Sequence, residues 1–218
     1  MNRIRQTEID ASKLRHPIIT PLFYKILELM IYCYRDILKK KSYTVGDYDE
    51  DILRNDLINS LEDNRKRVRH GLLFISECAT KDKTTSRTKG RIDICVIYDL
   101  TLRGEYAIAF ECKRLKHNGK NQAYIKWGVM DFVSGKYAEK MPIAGMIGFI
   151  EKGMINTVCS DLKKRIEAKT TNIKGDFVFE KIQDDFGHSY KSEHVREGRL
   201  ENIAIYHLIF DYTGIISN

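Results

Sequence analysis

The chain has 218 residues, 43% hydrophobic and 31% charged, which fits one α/β domain with a sizeable core plus an added N-terminal element and excludes a disordered or fibrous chain. The formal net charge is +7, from 37 basic against 30 acidic residues, a balance that suits a polyanionic partner because each phosphate contact releases a counterion. Five cysteines (Cys33, Cys78, Cys95, Cys112, Cys159) without a CxxC pair or a signal peptide point to free thiols in a reducing cytoplasm.

Residues 17–40 predict an amphipathic helix with Leu22, Ile26, Leu29, Met30 and Cys33 at helical spacing. Lys25 and Glu28 interrupt its apolar run, which is too short to span a bilayer, so no membrane is expected. Residues 1–42 are expected as an N-terminal helical extension and 43–218 as the main domain. Tyr43 to Tyr48 predicts a turn around Gly46. A second helix is predicted from about Asp49, with Ile52, Leu53, Leu57, Ile58 and Leu61 as its apolar face. Arg65, Lys66, Arg67 and Arg69 follow as a basic loop. Leu72 to Cys78 predicts a strand, and Lys81 to Gly90 a polar loop. Arg91–Tyr98 and Glu105–Leu115, joined by a turn at Arg103-Gly104, predict an antiparallel hairpin. A polar loop at His117–Lys120 leads into a helix over 122–139. A buried strand at Ile143–Ile150, a helix over 155–170 and late strands at Phe177–Ile182 and Ile203–Asp211 complete the order. The expected fold is a mixed central sheet with helices on both faces. Cys78, Cys95 and Cys112 are evenly spaced, but each falls on a predicted strand and reads as a buried small hydrophobe rather than a zinc ligand.

Asp93 sits within the β-branched run Arg91-Ile92-Asp93-Ile94-Cys95-Val96-Ile97. Its neighbours in register, Cys95 and Ile97, are apolar, so Asp93 should face a largely buried surface. A buried carboxylate is costly unless it is paired or bound to a cation. In Ala109-Phe110-Glu111-Cys112-Lys113, strand alternation brings Glu111 and Lys113 out on one face. The hairpin sets this strand beside that of Asp93, so two carboxylates and an ammonium meet. Two carboxylates suit Mg²⁺, which keeps waters and accepts phosphate oxygens. The bland alternative is an ion pair across an exposed hairpin; the apolar setting argues against it.

Asp93 followed by Glu111-Cys112-Lys113 after a hairpin resembles the PD-(D/E)XK, or restriction endonuclease-like, nuclease superfamily, over roughly residues 48–150. The resemblance implies a restriction endonuclease-like core and a metal-dependent endonuclease acting on DNA. Asp93 and Glu111 would bind Mg²⁺, with Mn²⁺ as a substitute, and the Cys112 carbonyl would complete the coordination. Lys113 would handle the attacking water. The family often adds an upstream acid, for which Glu50 is preferred and Glu77 is the rival. Ile92 stands where the family name has proline. Of the next helix, Gln122, Tyr124 and Lys126 are the residues that could face the site, and Trp127 to Ala138 is similar to that helix in restriction-like and phage-defence nucleases.

Basic residues crowd the hairpin mouth, and Arg87, Lys89, Arg91, Arg114, Lys116, Lys120 and Lys136 are expected to bind the phosphate backbone. His188, His194 and His207 read as surface or edge-strand histidines in preference to a metal site. Three functions compete. The first is a DNA nuclease of restriction or antiviral defence. The second is a silent nucleic-acid- or protein-binding module of the same fold. The third is a nuclease subunit, self-associating or controlled by a helicase, ATPase or sensor partner.

Overall fold

The structure is a computed structural model and describes residues 11–81, 85, 88–98, 107–116, 121–169, 176–196 and 202–217. The first apolar run forms α1, Ala11–Lys40, closing on Lys39 and Lys40, where basic side chains complement the helix dipole. Phe23, Ile26, Leu27, Met30 and Cys33 are fully buried. Phe23 stacks on Phe110 of the sheet at 5.4 Å and Tyr34 on Phe210 at 4.3 Å. The Tyr34 hydroxyl also donates to the Asp211 carbonyl and accepts from its N–H. Thus α1 shares the core of the sheet.

Helix α2, Glu50–Glu62, starts on Asp49, whose side chain accepts the Ile52 N–H at 2.9 Å. Leu53, Leu57, Ile58 and Leu61 are buried as expected, but Ile52 is exposed and Arg54 takes a buried place. The basic run expected as a loop is a short helix, α3 (Arg65–Arg69), because the Asn64 side chain caps its first turn. The segment from Tyr43 opens as a short strand, β1 (Tyr43–Thr44), paired in parallel with β9 (Ile216–Ser217), and then makes the expected turn around Gly46, closed by the Asp47 N–H on the Thr44 carbonyl at 3.0 Å.

The main sheet has seven strands in the order β2 (Leu73–Lys81), β3 (Thr88–Ile97), β4 (Ile108–Lys116), β5 (Ile143–Lys152), β8 (Ile203–Asp211), β7 (Ser189–His194) and β6 (Val178–Phe179). The first three form an antiparallel meander, β4, β5 and β8 run parallel, and β7 and β6 reverse again. This is the mixed α/β sheet read from the chain order. Central β5 is buried at nine of its ten residues, as a parallel strand covered on both faces must be. Lys81 and Thr88–Gly90, expected in a loop, extend β2 and β3. The expected strand at Phe177–Ile182 is reduced to β6. The Arg103-Gly104 turn and the His117–Lys120 loop lie outside the described residues.

The helix expected over 122–139 is broken. It consists of α4 (Gln122–Tyr124), a π-helical turn (Ile125–Val129) and α5 (Met130–Val133). It stops at Val133 because Gly135 adopts φ +74° just past the end, the left-handed C-terminal stop that glycine allows. Helix α6 is Ile155–Lys169. α1 and α2 pack on one face of the sheet against Ile94, Val96, Phe110 and Cys112. The 122–133 segment and α6 cover the other face, against Cys95, Ala109, Leu115 and Met146. Among the described residues, no helix is long and apolar enough to cross a membrane.

Candidate active site

Strands β3 and β4 pair only where Ile94, Cys95 and Val96 oppose Phe110, Ala109 and Ile108. One residue further the ladder stops, and Asp93 and Glu111 stand on either side of the divergence. Buried N–H groups freed there need acceptors. The two carboxylates supply them across the gap: Asp93 Oδ2 accepts the Cys112 N–H at 2.7 Å, and Glu111 Oε1 accepts the Asp93 N–H at 3.3 Å. Each acid therefore holds the other's strand.

Lys113 lies beyond them. Its Nζ donates to Glu50 Oε1 at 3.0 Å and lies 3.4 Å from both Asp93 Oδ2 and Glu111 Oε2. It also donates to the Cys112 carbonyl. The three oxygens that the resemblance implies as metal ligands thus converge on one ammonium nitrogen. Glu50, at the first position of α2, accepts the Arg114 N–H through its other oxygen at 3.0 Å. Of the two rival acids, then, Glu50 touches Lys113. Glu77 instead meets Arg54 and Arg91, each at 3.5 Å. Its backbone is left-handed at φ +53°, a conformation that costs a non-glycine residue about 1 kcal/mol or more and tends to gather at functional sites.

The residue that sequence reasoning missed is Arg54. It is only 4% exposed and reaches Asp93 Oδ1 at 3.2 Å and Asp51 at 3.0 Å. It lies one helical turn after Glu50, so α2 presents an acid to Lys113 and a guanidinium to Asp93 from one face. The available signal was the spacing of four from Glu50 together with its position between the apolar residues Leu53 and Leu57.

Burial and neighbouring charges together set the electrostatics. Glu111 is 3% exposed, and burial, then the Asp93 charge, push its pKa from 4.5 up to about 9 against the pull of Lys113. Burial alone would lower the Lys113 pKa, but Asp93, Glu111 and Glu50 outweigh it and hold the amine above its usual value. Arg54 behaves alike: burial lowers its pKa, and Asp93 and Asp51 more than restore it. Lys113 therefore stays cationic while Glu111 holds a proton readily, a mismatch that a further positive charge between the acids would relieve.

The expected basic residues fall into three groups. Lys89, Arg91 and Lys136 stand near the open end of β3: Lys136 pairs with Asp131 at 2.6 Å, Lys89 lies 3.7 Å from Glu139, and a Cβ at Gly90 would touch Lys136 and Tyr137. Tyr137 in turn feels the Glu111 charge. Arg114 and Lys116, both partly exposed, share the one carboxylate of buried Glu151, and Arg114 lies over the Tyr48 ring at 5.2 Å. Arg114 alternates away from Lys113, so the two do not share a surface. Arg87 and Lys120 lie outside the described residues.

The histidine expectation needs correction. His194 and His207 are fully buried. Ser192 Oγ bridges their Nε2 atoms at 2.8 Å each, and the Tyr124 hydroxyl meets His207 Nδ1 at 2.9 Å. His207 stands on β8, between β5 and β7, and Phe177 packs edge-on against it at 4.9 Å, while β6 pairs with β7 only at Tyr190 and Lys191, so His194 keeps its expected edge position but is buried there. Burial lowers the His194 pKa to about 4 and that of His207 well below the usual value. Tyr124 is used here, while Gln122 and Lys126 are exposed.

No family model matches the chain, and neither a curated protein nor a solved structure matches it.

Proposed function

We propose that the chain is a divalent-cation-dependent endonuclease that hydrolyses DNA phosphodiesters, on a restriction endonuclease-like core. The observation that carries this reading is the convergence of Asp93 Oδ2, Glu111 Oε2 and the Cys112 carbonyl on a single cationic point, now held by Lys113 Nζ. All three are hard oxygen donors, which Mg²⁺ and Mn²⁺ prefer. The two neighbouring carboxylates and the carbonyl form an oxygen donor set that fits such an ion, and burial with the Asp93 charge raises the Glu111 pKa.

A cation held by Asp93 and Glu111 supplies Lewis-acid polarisation of the scissile phosphate. The protein groups do the rest. Lys113, whose ammonium faces Asp93, Glu111 and Glu50, would orient the attacking water and stabilise charge developing on phosphate oxygens. Glu50 Oε1 holds that ammonium in place. Arg54 fixes Asp93 through Oδ1 and leaves Oδ2 turned toward Lys113. Lys89 and Arg91 offer phosphate contacts along the open end of β3.

The test is cleavage of plasmid and oligonucleotide DNA with Mg²⁺, with Mn²⁺ and with EDTA, comparing wild type and Lys113→Ala. The expected outcome is cation-dependent cutting that falls about 10²–10³-fold in the variant, the usual cost of removing one transition-state donor. Equal cutting by both proteins refutes the reading.

A further inference from the structure

The single tryptophan of the chain, Trp127, is 54% exposed and sits on the π-helical turn. The turn's geometry explains why. Buried residues recur in pairs at a strict spacing of four: Tyr124 and Ile125, Gly128 and Val129, Phe132 and Val133. An ordinary helix drifts from such a repeat, and the wider π turn restores it. Gly128 is thereby pressed onto the site, where a Cβ would overlap Met146 and lie 3.9 Å from Lys113 Cγ. The same turn holds Lys126 and Trp127 outward, one residue from that contact.

The surroundings of Trp127 are cationic. Lys126 Nζ lies 4.4 Å from its ring centroid. One turn on, Asp131 holds Lys136, whose amine lies 4.7 Å over the Tyr137 ring and whose stem meets Gly90 at the open end of β3. Two ring–amine pairs thus stand on the same segment, one exposed on the π turn and one where Lys136 and the buried Tyr137 meet Gly90 of β3. Scattered exposed apolar residues are ordinary. An exposed indole with an amine over its ring, on the residue before the packing contact with Lys113, suits stacking of an unpaired base while its phosphates meet lysines.

We infer that Trp127 and Lys126 form a base-stacking platform beside the candidate site, so that its substrate is a nucleic acid carrying an unpaired base next to the bond to be cut. The inference rests on the nuclease reading for its substrate class, and its test does not require cleavage.

The chain has one tryptophan, so its intrinsic fluorescence reports the platform directly. In EDTA, titration with a short oligo(dT) strand, an oligo(U) strand or a matched DNA duplex separates the alternatives. The expected result is strong quenching by the single strands and little by the duplex. Trp127→Ala should weaken single-strand affinity about 5- to 100-fold, the range for one stacked base, and leave duplex affinity unchanged. Trp127→Phe should recover most of the loss. The oligo(dT) and oligo(U) arms show whether the sugar matters. Unquenched fluorescence on single-strand binding, no single-strand binding, or equal weakening on both substrates by Trp127→Ala overturns the inference. The last two outcomes leave Trp127 a protein contact or a structural residue. Quenching as expected, together with cleavage that ignores Lys113→Ala, upholds the platform and removes the nuclease reading. The reverse pair of results removes the platform alone.

Discussion

The cluster of Asp93, Glu111, Lys113, Glu50 and Arg54 and the chain Tyr124–His207–Ser192–His194 each join strands of one sheet to a covering helix, yet one is ionic and the other neutral. The neutral chain is closed by short hydrogen bonds, with His194 Nδ1 its one group lacking a partner. The ionic cluster sits where a ladder ends, beside a left-handed Glu77, with a carboxyl whose pKa is pushed up to about 9. A buried group that is satisfied needs nothing more, whereas one held away from its preferred charge state is poised for a ligand.

Removing one partner from each cluster should expose the difference. Arg54→Met removes the guanidinium from Asp93 Oδ1 but leaves Lys113 and the Cys112 N–H on Oδ2, so the loss in urea unfolding should be about 1.5–3 kcal/mol. A divalent cation should return part of that loss, because it can replace the missing positive charge. A loss well under about 1 kcal/mol would mean that Arg54 is not the partner that Asp93 depends on. Ser192→Ala removes the bridge between two neutral histidines and should cost about 1–2 kcal/mol, with no recovery on adding cation. Recovery there would break the distinction between the clusters.

The two clusters also carry opposite pH slopes, a smaller and more gradual effect. The Glu111 pKa is raised in the folded state, so its contribution is complete below pH 4.5 and is lost as pH rises toward about 9. The His194 pKa is lowered, so its contribution is complete above pH 6.5 and is lost as pH falls toward about 4. In EDTA, Tm of Glu111→Gln should hold up better than wild type between pH 5 and 9, and Tm of His194→Gln should hold up better than wild type below pH 6.5. Variants whose profiles run parallel to wild type would show that these groups do not set the slopes.

Much of this was legible in the residues themselves. Period-two alternation around Asp93, Glu111 and Lys113 and the period-3.6 faces of α1, α2 and α6 locate the sheet, its covering helices and the three central charges. What was not legible depends on tertiary partners. Arg54 reads as an ordinary helix cation until Asp93 is folded beneath it. The histidines look exposed in a charged stretch, because nothing local announces that His207 falls on an interior strand or that Ser192 will bridge two rings. The π turn leaves only Gly128 as a trace, and its meaning emerges once Met146 and Lys113 lie beneath it. Arg114 was open to better reading, since adjacent residues of a strand face opposite sides.

The central claim is that Asp93, Glu111 and the Cys112 carbonyl form a cation site now filled by the Lys113 ammonium. Calorimetric titration of Mg²⁺ and Mn²⁺ into wild type, Asp93→Asn and Glu111→Gln tests it most directly. The account predicts saturable binding by wild type that is lost in both variants. No binding by wild type, or undiminished binding by both variants, would contradict it.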